Sequence, residues 1–219
     1  MLRTIILLAV ISVCAAAVPN PPTGLVRPCR LNDTRCITNN LRANSRCGRR
    51  TGGLPSKYTL KNVHFDAPYF NASYIDRTLI VRNQDKCFVS EFFFNMARDT
   101  AVLSVDCPHL DLEANRTLIQ HNSQREDVEY NYHIRADYPL IRLTTNLRHA
   151  DRLNLCSAFV LGEVTALPTF LVKPLDDKTS NFLSKDLSFM NIYERESFFF
   201  RAPMFMKFFV NAYLCNFGC

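Results

Sequence analysis

Cysteine, histidine and paired carboxylates are the side chains that could do chemistry in this sequence, and their spacing decides which chemistry. The 219 residues include nine cysteines and five histidines. Metal binding would need these residues in close pairs, yet there is no CxxC and no HExxH. Asp106-Cys107-Pro108-His109 sets a Cys near a His, but sequence neighbours rarely form the spatial pair of a nucleophilic enzyme. There is no GxSxG elbow and no phosphate-cradling glycine loop. Asp176-Asp177 and the Glu194/Glu196 pair are carboxylate pairs set among polar residues, without a glycosidase context. His64, His109, His121, His133 and His149 are scattered, and His133 falls on the polar face of an alternating segment. With no set of nucleophile, base and oxyanion donors, the chain reads as a non-enzyme without catalytic residues, metal site or cofactor.

Oxidation is the chemistry that suits the cysteines. Arg3 followed by the apolar run Ile5 to Val13 and by Ala15-Ala16-Ala17 has the three parts of a secretory signal, with cleavage after Ala17. The run is too short to span a bilayer, and no later segment is long and apolar enough to do so. Cys14 lies in this leader. The remaining eight are Cys29, Cys36, Cys47, Cys87, Cys107, Cys156, Cys215 and Cys219, an even count that in an oxidising compartment implies four bridges. Cys29 and Cys36 are placed to pair locally around a helix start, and Cys87 and Cys107 to bridge neighbouring strands. Cys215 and Cys219 lie too close together for spacing to name their partners. Behind a signal peptide, the sequons at Asn32, Asn71 and Asn115 become glycosylation sites. Asn71 and Asn115 are expected in polar turns beside strands. Asn32 sits between Cys29 and Cys36, where early bridge formation would hinder modification.

The elements that position these residues follow from periodicity. Beyond the leader, residues 18–219 are long enough for one substantial core and are read as one domain. The fold class is α+β, mostly antiparallel sheet with a short N-terminal helix and an apolar C-terminal helix. Asp33 caps the first helix, which runs to about Ser45. Strands are expected at 78–81, 87–94, 101–105, 117–121, 128–135 and 139–145, the fifth with the clearest alternation. More strand follows over 156–172, interrupted near Gly162 and at Pro168. Pro203 suits the first turn of a helix over 204–214. That helix is apolar over most of its circumference, so it belongs in the core against the sheet. Its alternative use is to offer Phe205, Phe208, Phe209 and Tyr213 to a partner. Basic residues exceed acidic ones by six. The pattern reads as a solvated, mildly basic surface, without the basic-aromatic motif of a nucleic-acid binder.

Several long strings carry a family resemblance. They include Pro68-Tyr69-Phe70-Asn71-Ala72-Ser73-Tyr74-Ile75-Asp76, Ala101-Val102-Leu103-Ser104-Val105-Asp106-Cys107-Pro108 and Arg116-Thr117-Leu118-Ile119-Gln120-His121. Glu126-Asp127-Val128-Glu129-Tyr130, Ala166-Leu167-Pro168-Thr169-Phe170, Tyr193-Glu194-Arg195-Glu196 and Cys215-Asn216-Phe217-Gly218-Cys219 extend them. Through nearly the whole mature chain, the sequence resembles the fibrohexamerins, the small glycoprotein subunits of lepidopteran silk fibroin. The resemblance implies a non-enzymatic protein secreted into the silk-gland lumen. It implies non-covalent association with the fibroin heavy and light chains and help with assembly, solubility and transport. It also carries over glycosylation at Asn71 and Asn115, and intramolecular bridges. The Cys29 to Cys36 spacing, long β region and C-terminal helix are similar in architecture to juvenile-hormone-binding and takeout-type carriers. That likeness implies a second role, carriage of a lipophilic small molecule.

Overall fold

The computed structural model describes residues 28–95, 97–149, 153–185 and 188–219, the last stretch without the side chains of 188–191. The leader expected at 1–17 lies outside them. Helix α1 (Thr34–Ala43) starts where expected, with the Asp33 carboxylate accepting the Cys36 N–H at 2.9 Å. Strands β1 (Lys57–Ala67), β2 (Ala72–Arg82), β3 (Phe88–Asn95), β4 (Thr100–Gln120), β5 (Val128–Arg148), β6 (Val160–Val164) and β7 (Thr169–Pro174) form one antiparallel sheet. Helices α2 (Asp177–Lys185) and α3 (Ser188–Phe209) follow, and α3 ends in a π turn, Val210–Leu214.

The sheet is organised by a single long hairpin. β4 and β5 have 21 residues each and pair from Thr100↔Arg148 to Gln120↔Val128. Each flank is shared by two shorter strands. β2 pairs with the second half of β4 and β3 with the first, while β7 and β6 divide β5 in the same way. β1 extends the sheet beyond β2. The two handovers meet the hairpin at one level. Pro108 in β4 and Pro139 in β5 both lack a donor there, and His109 has φ 50°. Asn83 Nδ2 donates to the His109 carbonyl (2.8 Å), and Leu140 O accepts from Thr165 N, so side chains and turns serve a level that the flanking strands do not reach. Sequence reading separates 101–105 from 117–121 and 128–135 from 139–145. The structure fuses each pair, because a proline at a crease interrupts the hydrogen bonds without ending the strand.

The crease helps the sheet to close around α3. A straight strand of 21 residues would be about 70 Å long. A compact chain of this size is about 40 Å across. One turn of α3 measures the curvature. The Arg201 guanidinium lies 5.2 Å from the Phe65 ring of β1, while the next residue, Ala202, packs on Gly162 of β6. On a flat sheet these contacts would be four strand spacings apart, about 19 Å. They would also be separated along β5 by the 13 residues from Tyr130 to Leu143, about 43 Å. The sheet therefore wraps the helix.

Two expectations for the last third are corrected. α3 begins at Ser188, well before Pro203, which lies inside the helix. β6 runs through Gly162 without a break. The first correction has a clear cause: Glu194, Ser197 and Arg201 are buried. The inward face of the first half of α3 thus sets polar side chains beside Phe198, and apolar periodicity cannot reveal it.

Four disulfides close the chain: Cys29–Cys36, Cys87–Cys107, Cys47–Cys215 and Cys156–Cys219. The last two bind the C-terminal tail to distant segments. Cys47–Cys215 spans 168 residues, and a loop of this length restricts the unfolded chain by about 5 kcal/mol in the chain-entropy account.

Gly162 gives a direct test of the helix seat. A Cβ there would lie 2.6 Å from Ala202 Cβ and 3.3 Å from the Phe198 ring. Gly→Ala ordinarily favours a strand, but Gly162→Ala is expected to destabilise by about 1–3 kcal/mol through overpacking. Urea denaturation checks the sign, and an unchanged or raised midpoint would contradict this packing.

Candidate functional site

The strongest concentration of polar chemistry lies between the sheet and α3. Arg116 reaches inward from β4. Its Nε and Nη2 donate to Asp76 Oδ1 and Oδ2 (2.6 and 2.8 Å), and Nη1 donates to Glu194 of α3. Arg201 Nη2 donates to Glu194 Oε2, Tyr138 Oη and Ser197 Oγ, each at 3.1 Å. All four charged side chains are at most 1% exposed where they pair. The guanidiniums of Arg116 and Arg201 both lie over the Phe65 ring, at 5.3 and 5.2 Å from its centre. Two cations and two carboxylates leave the cluster neutral. Burial lowers the pKa of Arg116, but Asp76 and Glu194 outweigh it and hold the guanidinium charged. Burial pushes the hydroxyls of Tyr74, Tyr132 and Tyr138 up, so they stay protonated.

This cluster clamps the helix. The space between Arg116, Glu194, Arg201 and the strand residues Leu79, Leu112, Ala114, Ile134 and Ala136 is too small for a water molecule. A substrate has no room beside the charges. Arg116→Met would leave Asp76 buried without its cation and Glu194 with Arg201 alone, and a loss of about 3–5 kcal/mol is expected. Replacing Asp76 and Arg116 together by apolar residues should cost less than the two single changes summed, which a double-mutant denaturation cycle measures.

A second cluster has the outline of a hydrolase relay. Ser73 Oγ lies 2.7 Å from His121 Nε2, and His121 Nδ1 lies 2.7 Å from Asp127 Oδ2. Sequence reasoning missed this set, since it joins β2, the end of β4 and the loop after it. No sequence motif marks it. The proton count argues against catalysis. Ser73 Oγ also donates to Asp66 Oδ1 at 2.7 Å. With its one hydroxyl proton directed to Asp66, Ser73 does not offer that proton to His121, opposite to the polarity a general base needs. Ser73 is also buried within a strand paired on both sides, to Asp66 and Ile119, so it does not stand on an exposed elbow. The His121 hydrogen bond, with the Asn122 N–H, holds the Asp127 carboxyl below its usual range. The set pins the 121–127 loop to the sheet. Incubation with a fluorophosphonate probe should leave Ser73 unlabelled by mass spectrometry, and labelling would establish a nucleophile.

The outer face of the sheet carries ion pairs. Arg82 meets Asp111 (3.3 Å) and Glu113 (2.5 Å), Arg135 meets Asp111 (2.6 Å), and Arg142 meets Asp106 (2.7 Å). Hydrogen bonds from Arg142 and Arg82 hold the carboxyls of Asp106 and Glu113, respectively, below their ordinary range.

The sequons are all exposed. Asn71 occupies a left-handed turn (φ 49°), with Nδ2 donating to His121 O at 2.7 Å. Asn115 differs from expectation. It lies within β4 on the outer face, its Oδ1 2.9 Å from His133 Nδ1, because the strand continues where a turn is expected. Asn32 lies in the turn closed by Cys29–Cys36. Of the four residues considered for a partner on α3 and its π turn, Phe205 and Phe209 are fully packed in the core. Phe208 and Tyr213 are half-buried. Phe208 meets Tyr58 edge-on, and Tyr213 accepts the Leu54 N–H at 3.2 Å. Exposed aromatic surface lies elsewhere, at Phe88 and Phe93 of β3 and at Phe159 beside Phe199.

Comparison with known proteins places this architecture. A family model described as Fibroin P25 matches residues 25–219. A protein named fibrohexamerin, from Galleria mellonella, is 56% identical over 220 residues and covers 100% of both chains. The solved structure of Epiphyas postvittana Takeout 1 covers 82% of this chain and 88% of its own at 13% identity, with a TM-score of 0.49, too slight a likeness to carry an argument. The full-length match to fibrohexamerin and the family model agree, and the chain belongs to the fibroin P25 family.

Proposed function

We propose that this protein is a non-enzymatic subunit of a secreted silk fibroin complex. It associates non-covalently with the heavy and light fibroin chains in the silk-gland lumen and keeps the assembly soluble during transport. The observation that carries this reading is 56% identity to fibrohexamerin along the entire chain. The molecular interior agrees with it: Phe198, Phe205, Arg116 and Arg201 are all buried beneath the sheet. Glycans at Asn71 and Asn115 would project from exposed positions and add to solubility.

Non-covalent association needs a surface, and β3 offers one. It pairs with β4 on one side and with no described strand on the other. Natural edges are usually blunted by lysine, proline or cover. β1 carries Lys57 and Lys61, β7 carries Lys173 and Pro174, and α3 packs against β6. β3 reads FVSEFFFN, with no lysine or proline, and exposes half of Phe88 and half of Phe93. The bulge at Ser90 leaves Glu91–Asn95 as its regular stretch. Such an edge fits an extended segment of a fibroin chain, which would supply the missing backbone partners.

Complexes purified natively from gland lumen should contain the protein, release it in denaturant and retain it in reductant alone; complexes that lack it would refute the proposal. Phe93→Lys should weaken association about tenfold or more with little change in melting temperature, measured on the isolated full chain.

A further inference from the structure

The net charge of this protein is not spread over its surface. Residues 28–50 contain Arg30, Arg35, Arg42, Arg46, Arg49 and Arg50 against one acid, Asp33, so they hold +5 of the formal +6 of the whole chain. All six arginines are exposed. Among the described residues none of them forms an ion pair. Four arginines of the sheet, Arg82, Arg116, Arg135 and Arg142, each meet a carboxylate. The solvated, mildly basic surface expected from the sequence thus concentrates its excess charge in this segment.

The segment is held rigidly. The Cys29–Cys36 bridge brings its Cα atoms to 5.6 Å, and Arg30 and Arg35 each adjoin one of its cysteines. On α1, Ile37 and Leu41 face the core, and Arg35 and Arg42 lie two turns apart on the opposite face, about 10 Å along the axis. Arg46 adjoins Cys47, which is bridged to Cys215. Beyond it, Gly48 N and Thr51 N donate to Asn216 O and Asn211 O (both 2.7 Å), fixing the stretch that carries Arg49 and Arg50. Six like charges on one immobilised segment repel each other, a cost that an opposite charge would relieve. All six are arginine, whose planar fork binds carboxylates two bonds at a time.

We propose that this arginine face is a docking surface for an acidic polypeptide segment of a partner in the secreted complex. The inference rests on the complex membership proposed above and assigns a second contact surface, separate from β3. A peptide is favoured over an anionic glycan because Leu31, 47% exposed, stands among the arginines and lines an open concavity with Cys29, Arg30, Asn32 and Asp33. A peptide can bury an apolar side chain there beside its carboxylates, and a polysaccharide has none to offer.

The test compares the full secreted chain with two triple variants of equal charge change. One is Arg35→Glu, Arg42→Glu, Arg49→Glu. The control is Arg77→Glu, Arg98→Glu, Arg125→Glu, at exposed positions outside the face. Binding to poly-L-glutamate is measured by calorimetry at two salt concentrations, with circular dichroism checking the fold of each protein. The face variant should lose at least tenfold in affinity while the control stays within about threefold, and wild-type binding should weaken as salt rises. Equal losses in both variants would overturn a localised face, and tighter binding to heparin than to polyglutamate would overturn the peptide assignment. Recovery from native silk complexes separates the two readings. Wild type recovered with the face variant depleted supports both, equal recovery overturns the face alone, and absence of wild type overturns complex membership.

Discussion

The fold depends on a pair of guanidiniums enclosed with a pair of carboxylates. Arg116 and Asp76 come from the sheet, and Glu194 and Arg201 from α3. None of the four could be buried alone, because an isolated ion in this interior loses several kcal/mol of solvation. Each is tolerable only with the helix seated and the sheet closed over it. The aromatic walls reinforce this condition: Phe65, Tyr74 and Phe198 present ring faces to the same guanidiniums. The network thus makes one arrangement of helix against sheet far better satisfied than its neighbours, which is a statement about specificity rather than about total stability.

Closure of the sheet requires the central hairpin to bend, and the chain meets that need at one level. Prolines in both long strands, a left-handed histidine, the change of flanking strands and the Cys87–Cys107 bridge all fall near residues 107–109 and 139–140. Gly162 then permits the closest approach of α3 to the curved edge. The two long-range bridges hold the tail that follows α3 against the first segment of the chain and against the turn before β6. Such restraint keeps the sheet edges from loosening, and a loosened edge would invite further pairing.

The described surface divides into regions with different chemistry. The outer sheet balances its own charges in a ladder of arginines and acids. β3 offers unpaired backbone and aromatic rings. The α1 segment offers guanidiniums without counter-charges. An edge strand and a cationic face select by different forces, one directional and short-ranged, the other long-ranged and sensitive to salt. Membership of the fibroin P25 family gives these surfaces a common context in a multichain secreted assembly.

Much was legible from residue order. Alternation marked the strands, Asp33 marked the first helix start, and the Cys29–Cys36 and Cys87–Cys107 pairs followed from local spacing. Long strings such as Pro68 to Asp76 carried the family. These are signals in which neighbours in sequence are neighbours in space. The tertiary structure decided the rest. The first half of α3 was hidden because its buried face carries polar side chains, and that face makes sense only opposite Arg116 and Asp76. The Ser73–His121–Asp127 set was hidden because its members lie on different strands, and its lack of nucleophilic polarity depends on a further residue, Asp66. Phe205 and Phe209 read as core from their apolar surroundings, with a partner contact as the alternative, and the wrapped sheet encloses both. The arginine-rich segment was visible as letters, but its lack of counter-ions was not. Sequence records which charges a chain carries, while pairing depends on distances that only the folded chain sets.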